Sequence, residues 1–490
     1  MSTDTERQRL LTELREMGRA SSAELERGEQ FQRAFYPVDE HLRVFEPDVN
    51  LIVGYHGAGK SMLFKAAVEQ LLSASIHKRP FLPEKAVWKA GYPLGSDFPD
   101  AETLRRFVKR SLVERSLTEQ ANDRMLADVW LAYLARLLSS ELKTTGEWQA
   151  LLAPSSVEVD RVYTALRQQR TAVIAALDDL DARLKQEGRW IFVNYDELDT
   201  LGGIDWELMA GLIRGLLTFW AEYTRRWQRL QAKIFLRTDL FTNARIFTAD
   251  FTKLASNRVE LTWSDRNLHA MWIKRIANRS RNWLEYCRDA GIQFKRDETL
   301  GWIPYLPNAE AAQPLIERIA GPFMGSNIKK GRTFTWILDH LRDGKGRITP
   351  RTLVSLWGYA AAQELDSQKA SASHLIHPTS LRRALDQVSD DYVKMLKSRE
   401  MPWLEGLMKR LSNREVPLTR EEWIAILATD WTQWRNDTQE KQRPPHQTPA
   451  EFLDLLLELG VCRERPDGRI DVPDLFLHGL AIKRRGGVKR

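Results

Sequence analysis

Short, almost unbroken apolar runs alternate with longer stretches of helical spacing along this chain. "NLIV" (50–53), "WIFVNY" (190–195) and "KIFL" (233–236) carry apolar side chains at nearly every position, as strands covered on both faces of a parallel sheet require. "RVELTW" (258–263) reads as a last strand of this group. Helical spacing follows the first run in "SMLFKAAVEQLL", with Leu63, Ala66, Ala67, Leu71 and Leu72 on one side. It recurs in "ANDRMLADVWLAYLARLLSSEL", through Met125, Val129, Leu131, Leu134 and Leu138, and in "VDRVYTALRQQRTAVIAALDDLDARLKQ". Between these two, "TTGEWQALLAPSS" breaks the pattern. "LHAMWIKRIANR" is a further helix, with Ser264 as its N-cap.

Strands alternating with helices predict an α/β fold with a parallel sheet. The pattern divides the chain into a charged N-terminal helix (1–30) outside the core, a core (31–280) with a helical insertion at about 95–185, a helical lid (281–417) and a last module (418–490). That last module has the helices "LTREEWIAILATDW" and "AEFLDLLLELG", then two short strands around the turn "RPDGR". Helices followed by a hairpin fit a winged helix, a module that binds DNA or proteins. Its wing would hold Arg463, Arg465 and Arg469, interleaved with Glu464, Asp467 and Asp471. The insertion's apolar faces suit packing on their own core or association with a partner.

Composition narrows this picture. With 490 residues, 43% hydrophobic and 28% charged, the chain is expected to fold as several globular domains. No apolar run approaches the ~20 residues that span a bilayer, and no secretory signal opens the chain, so a cytoplasmic protein without membrane contact is expected. Cys287 and Cys462 are the only cysteines, too few for a disulfide framework or a zinc cluster, and both read as inert thiols. A net charge of +7 permits an acidic partner without requiring one. The basic end "AIKRRGGVKR" is either a nucleic-acid contact or a solvated tail.

The chemistry lies at the ends of the apolar runs. "GYHGAGKS" (54–61) fits G-x-x-x-x-G-K-[ST], between a strand and a helix. Glycines let successive N–H groups curl around phosphate oxygens, and the helix adds its positive end. Gly54, Tyr55, His56, Gly57, Ala58, Gly59, Lys60, Ser61 and Met62 are therefore candidate nucleotide-binding residues. Lys60 would reach the β- and γ-phosphates, and Ser61 would ligate Mg²⁺. After the second run come Asp196, a candidate for the metal's shell, and Glu197, a candidate general base for water. Asp199 could serve the metal or a neighbouring subunit, but a helix N-cap is the favoured reading. Asn194 in mid-strand has no evident reason. After the third run, Arg237 is the candidate γ-phosphate sensor, with Thr238 or Asp239 next; pairing of Arg237 with Asp239 or a surface acid is the competing reading. Arg258 is either a trans arginine finger or, as favoured, part of a salt bridge within the chain.

"GYHGAGKS", "IFVNYDELD" and "IFLRTD", in this order, resemble the P-loop ATPases with an extra strand between Walker A and Walker B, in particular the AAA+, origin-recognition and STAND types. "FLRTD", "VELTW" and "ITPRTLVSLW" are similar to bacterial ATPases found beside phage-defence or mobile-element genes. The resemblance covers about residues 45–280. It implies a three-layer parallel sheet, ATP and Mg²⁺ as ligands, self-association, and a protein effector as partner. It also implies a lid arginine on the γ-phosphate, a role that falls on Arg351; the start of a surface helix, with Pro350 in its first turn, is the plain alternative. No guanine-specific motif and no ABC-type signature are present, so ATP is preferred. Three functions follow: an ATPase switch or assembly engine, a DNA loader or partition ATPase acting through residues 418–490, and a scaffold that binds ATP with little turnover.

Overall fold

The computed structural model describes residues 3–19, 28–71, 83, 85–93, 98–115, 119–142, 159–201, 206–242, 246, 254–367, 374–399, 401–436 and 442–485. The breaker at 144–156 and the last five residues of the basic tail lie outside them. The chain divides into two compact units, Pro37–Leu261 and Met1–Tyr36 with Thr262–Arg490. Residues 31–36 and 262–280, read above as part of the core, thus belong to the second unit.

The first unit is built on a parallel five-stranded sheet in the order β2-β3-β4-β1-β5. Its strands are β1 (Leu51–Gly54), β2 (Ala86–Tyr92), β3 (Trp190–Tyr195), β4 (Leu230–Arg237) and β5 (Val259–Glu260). Strand β4 lies between β1 and β3, as the extra-strand arrangement requires. The three apolar runs became its three interior strands. β2, an edge strand half-exposed along its length, was not evident in the pattern.

Alternation along the strands sorts side chains onto two faces. Leu51 and Val53, Ile191, Val193 and Tyr195, and Ala232, Ile234 and Leu236 share one core with the helices Glu119–Leu137, Val159–Glu187 and Trp206–Tyr223. Met125, Val129, Leu131, Leu134 and Leu138 are all buried in that core, so the insertion packs on its own domain. Asp181 on the insertion fastens β4: its carboxylate accepts the N–H groups of Gln228, Arg229 and Leu230 at 2.9, 2.6 and 2.9 Å. Phe192, Asn194, Asp196, Lys233, Phe235 and Arg237 take the opposite parity. This is the face of the helix Lys60–Val68, whose Phe64 ring meets Phe235 edge-on.

The second unit is mainly helical, with an antiparallel hairpin, Gln293–Asp297 with Gly301–Tyr305, where helix was expected. Its first strand, "QFKRD", is rich in charged residues, whereas the second, "GWIPY", carries none. The N-terminal helix Thr3–Arg19 is not outside a core: Leu10, Leu11, Leu14 and Met17 are buried in this unit. Gly18 permits the closest approach, since a Cβ there would stand 2.5 Å from the Gly358 Cα. Ser264 caps its helix by accepting the Asn267 N–H at 3.2 Å. In the C-terminal part, Arg420–Ala428 and Pro449–Leu459 are followed by antiparallel strands Arg463–Glu464 and Ile470–Asp471, the expected winged-helix order. Both cysteines are buried, and burial pushes their thiols well above the usual range. Among the described residues, no helix is long and apolar enough to cross a membrane.

Candidate active site

Parallel pairing brings the C-terminal ends of β1, β3 and β4 to one edge of the sheet. β4 aligns Arg237 with Gly54, the first residue of the loop, and Ile234 with Tyr195. Gly57 (φ 76°) and Gly59 (φ 107°) hold the loop in the left-handed region that a side chain would oppose. The Ala58 N–H donates to the Tyr55 carbonyl at 3.1 Å, and the helix starts at Lys60. The Lys60 ammonium turns back on its own loop, donating to the carbonyls of Gly54 (2.9 Å) and Tyr55 (3.1 Å).

Asp196 is buried, and the Ser61 side chain hydrogen-bonds to its carboxylate. Burial raises its pKa, against the Ser61 hydrogen bond and the Lys60 charge, which lower it. Its Oδ2 has no hydrogen-bond partner among the described residues. A buried carboxylate oxygen without a donor is costly unless a cation or water meets it. The residues therefore fit a divalent cation held by Ser61 and the Asp196 region together with phosphate oxygens, the mixed oxygen shell that Mg²⁺ favours. Such a site needs no all-protein cage, and among the described residues no group of three or more His, Cys, Asp or Glu side chains could form one.

Glu197 follows in the left-handed region (φ 52°, ψ 32°), half-exposed at the mouth of the site. Asp199 does not cap the following helix, which begins at Trp206. It lies in the short turn Leu198–Thr200, and its carboxylate takes an Arg237 Nη at 3.0 Å. Arg237 also forks onto Asp239, at 3.0 and 2.6 Å. Of the two readings of Arg237, pairing with Asp239 is the one that the structure contains. Thr238 begins the short helix Thr238–Phe241. Arg258 pairs with Glu260 at 2.8 Å and lies over the Phe241 ring, the contact within the chain that was favoured.

Asn194 now has a reason: its Nδ2 donates to the Lys89 carbonyl (3.0 Å), tying β3 to the edge strand. Sequence reasoning missed Tyr92 at the end of that strand, whose hydroxyl lies 2.7 Å from the Thr200 Oγ1 beside Glu197. The only signal was the aromatic and β-branched content of "AVWKAGY". Arg351 is a residue of the other unit, in the first turn of Pro350–Asp366 behind Pro350, with an Nη 3.8 Å from Met395 Sδ.

No protein-family model and no curated protein matches the chain. Among solved structures it is similar to a Walker-type ATPase of Pyrococcus abyssi, at 13% identity over 91% of this chain and 96% of that one, with a TM-score of 0.36. It is similar to the ORC2 protein of Aeropyrum pernix, solved as ADPNP–ADP complexes, at 12% identity over 93% and 99%, with a TM-score of 0.31. It is similar also to Cdc6p of Pyrobaculum aerophilum, at 10% identity over 88% and 86%, with a TM-score of 0.27. Likenesses this loose assign no family, and the chemistry of the site rests on its own residues.

Proposed function

We propose that this protein binds ATP with Mg²⁺ at the loop 54–61, hydrolyses it, and uses the bound state as a switch toward a protein partner. The observation that carries the reading is the buried Asp196 carboxylate, hydrogen-bonded by Ser61 on one side, without a hydrogen-bond partner at Oδ2 among the described residues, and beside the Lys60 charge. Mg²⁺, when bound, would offset charge on the phosphate oxygens.

The protein's own groups supply the rest. The loop's N–H groups and the helix dipole receive phosphates, while Lys60 exchanges two carbonyls for phosphate oxygens. Glu197 orients and deprotonates the attacking water. Arg237, held by Asp199 and Asp239, is the group that a γ-phosphate would recruit, and its exchange of those acids for phosphate would carry the signal.

A protein partner, the effector that the bacterial resemblance implies, is favoured over DNA. The wing's arginines are already engaged: Arg463 and Arg465 lie 3.4 and 3.1 Å from the buried Asp471, and Arg469 lies 2.7 Å from Asp467. A DNA phosphate would have to displace these carboxylates.

The test is Glu197→Gln. The variant is expected to retain ATP while phosphate release collapses; normal turnover rejects Glu197 as the base.

A further inference from the structure

Tyr92 touches the turn that carries Glu197 on both sides. Its carbonyl accepts the Asp196 N–H at 3.0 Å, just before Glu197. Its hydroxyl meets Thr200 Oγ1 at 2.7 Å, just after it. Thr200 closes back on Glu197, since its N–H (2.9 Å) and its hydroxyl (2.8 Å) both donate to the Glu197 carbonyl. A threonine hydroxyl has one proton. With that proton on the Glu197 carbonyl, Thr200 Oγ1 can only accept, so the Tyr92 hydroxyl is the donor. Burial, and the nearby charges of Glu197 and Asp199, raise the pKa of this phenol and keep it a donor.

What the chain Tyr92–Thr200–Glu197 holds is a backbone that a residue with a side chain adopts only under constraint, the left-handed conformation of Glu197. The ring of Tyr92 leads the other way. It stands edge-on to Phe98 at 5.9 Å, and Phe98 stacks on Trp130 (4.1 Å) and meets Tyr133 (5.1 Å) of the insertion helix Glu119–Leu137. One side chain therefore joins the inserted helices to the turn with the candidate base.

We propose that Tyr92 is a positioning residue for Glu197: through Thr200 its hydroxyl fixes the turn that aims the Glu197 carboxylate, and its ring makes that aim depend on the helical insertion. The proposal rests on the hydrolytic reading given above. A pair that merely tied down the edge strand would lower stability on removal and leave turnover per folded molecule unchanged.

The test compares full-length wild type, Tyr92→Phe, Thr200→Val and Thr200→Ser by steady-state phosphate release and by titration with a fluorescent ATP analogue. Loss of aim lowers kcat with binding intact. Tyr92→Phe and Thr200→Val are expected to lose about tenfold or more in kcat, with the dissociation constant within about twofold of wild type. Thr200→Ser, which keeps the hydroxyl, is expected to stay near wild type. Should Tyr92→Phe fail to fold, the exposed, near-isosteric Thr200→Val carries the test against Thr200→Ser. An active wild type with unchanged kcat in Tyr92→Phe, or equal losses in Thr200→Val and Thr200→Ser, overturns this proposal alone. A wild type that binds ATP without releasing phosphate overturns the hydrolytic reading, and this one with it.

Discussion

Replacing Arg237 with alanine separates what the fork contributes to the fold from what the guanidinium does for nucleotide. Its side chain is only 8% exposed, while the partners Asp199 and Asp239 are 28% and 31% exposed. Removing one member of a fully buried pair costs about 3–5 kcal/mol. The two acids here can rehydrate in part, which brings the expected cost to about 2 kcal/mol. With a urea m-value of about 2–3 kcal/mol/M for a unit of this size, the midpoint should fall by about 0.8 M. The assay is urea unfolding without nucleotide, followed by intrinsic tryptophan fluorescence, to which the buried Trp220 and Trp227 of the first unit contribute. The double variant Arg237→Ala/Asp239→Ala should recover about 1 kcal/mol relative to the sum of the single changes, because it removes one stranded carboxylate. With ATP and Mg²⁺, Arg237→Ala should lower turnover about tenfold or more. A midpoint shift below about 0.2 M, with additive single changes, would show that the fork contributes nothing and refute the reasoning.

Other consequences can be measured independently. Asp181→Ala strands three N–H groups at the start of β4 and is expected to cost about 3 kcal/mol in the same urea assay, with Asp181→Asn costing less. Loss of β4 placement should also reduce ATP affinity. Lys233, buried in β4 with its amine on the carbonyls of Glu46 and Val49, has its pKa pushed down by burial to about 7. Between that value and the ordinary lysine range the unfolded chain binds more protons than the folded one, so stability should rise with pH from about 7 upward. Thermal unfolding at several pH values should show this slope in wild type and lose it in Lys233→Met; a slope that persists in the variant assigns it to other groups.

The parts of the site that were legible in the sequence are those fixed by local chain. The loop 54–61 announces itself because strand, glycine turn and helix are contiguous. β3 and β4 were legible because burial on both faces demands apolar runs. β2 was not, since a half-exposed edge strand tolerates Lys89 and Gly91 and shows no clean period. The first strand of the hairpin 293–305 escaped for a related reason: "QFKRD" carries three charged residues in five. Partnerships across the sheet were beyond the pattern as well. The role of Asp199 depends on Arg237 of the neighbouring strand, and that of Asn194 on a backbone carbonyl of a strand not yet seen. The N-terminal helix shows the reverse case, in which Leu10, Leu11, Leu14 and Met17 had the spacing of a buried face but were outweighed by the charges around them.

The most direct test of the central claim is an equilibrium titration of the full chain with a fluorescent ATP analogue and Mg²⁺, run beside Lys60→Ala. One saturable site per chain, lost in Lys60→Ala and weakened when Mg²⁺ is chelated, is the predicted result. Wild type that binds no nucleotide, or Lys60→Ala that binds as tightly as wild type, would contradict it.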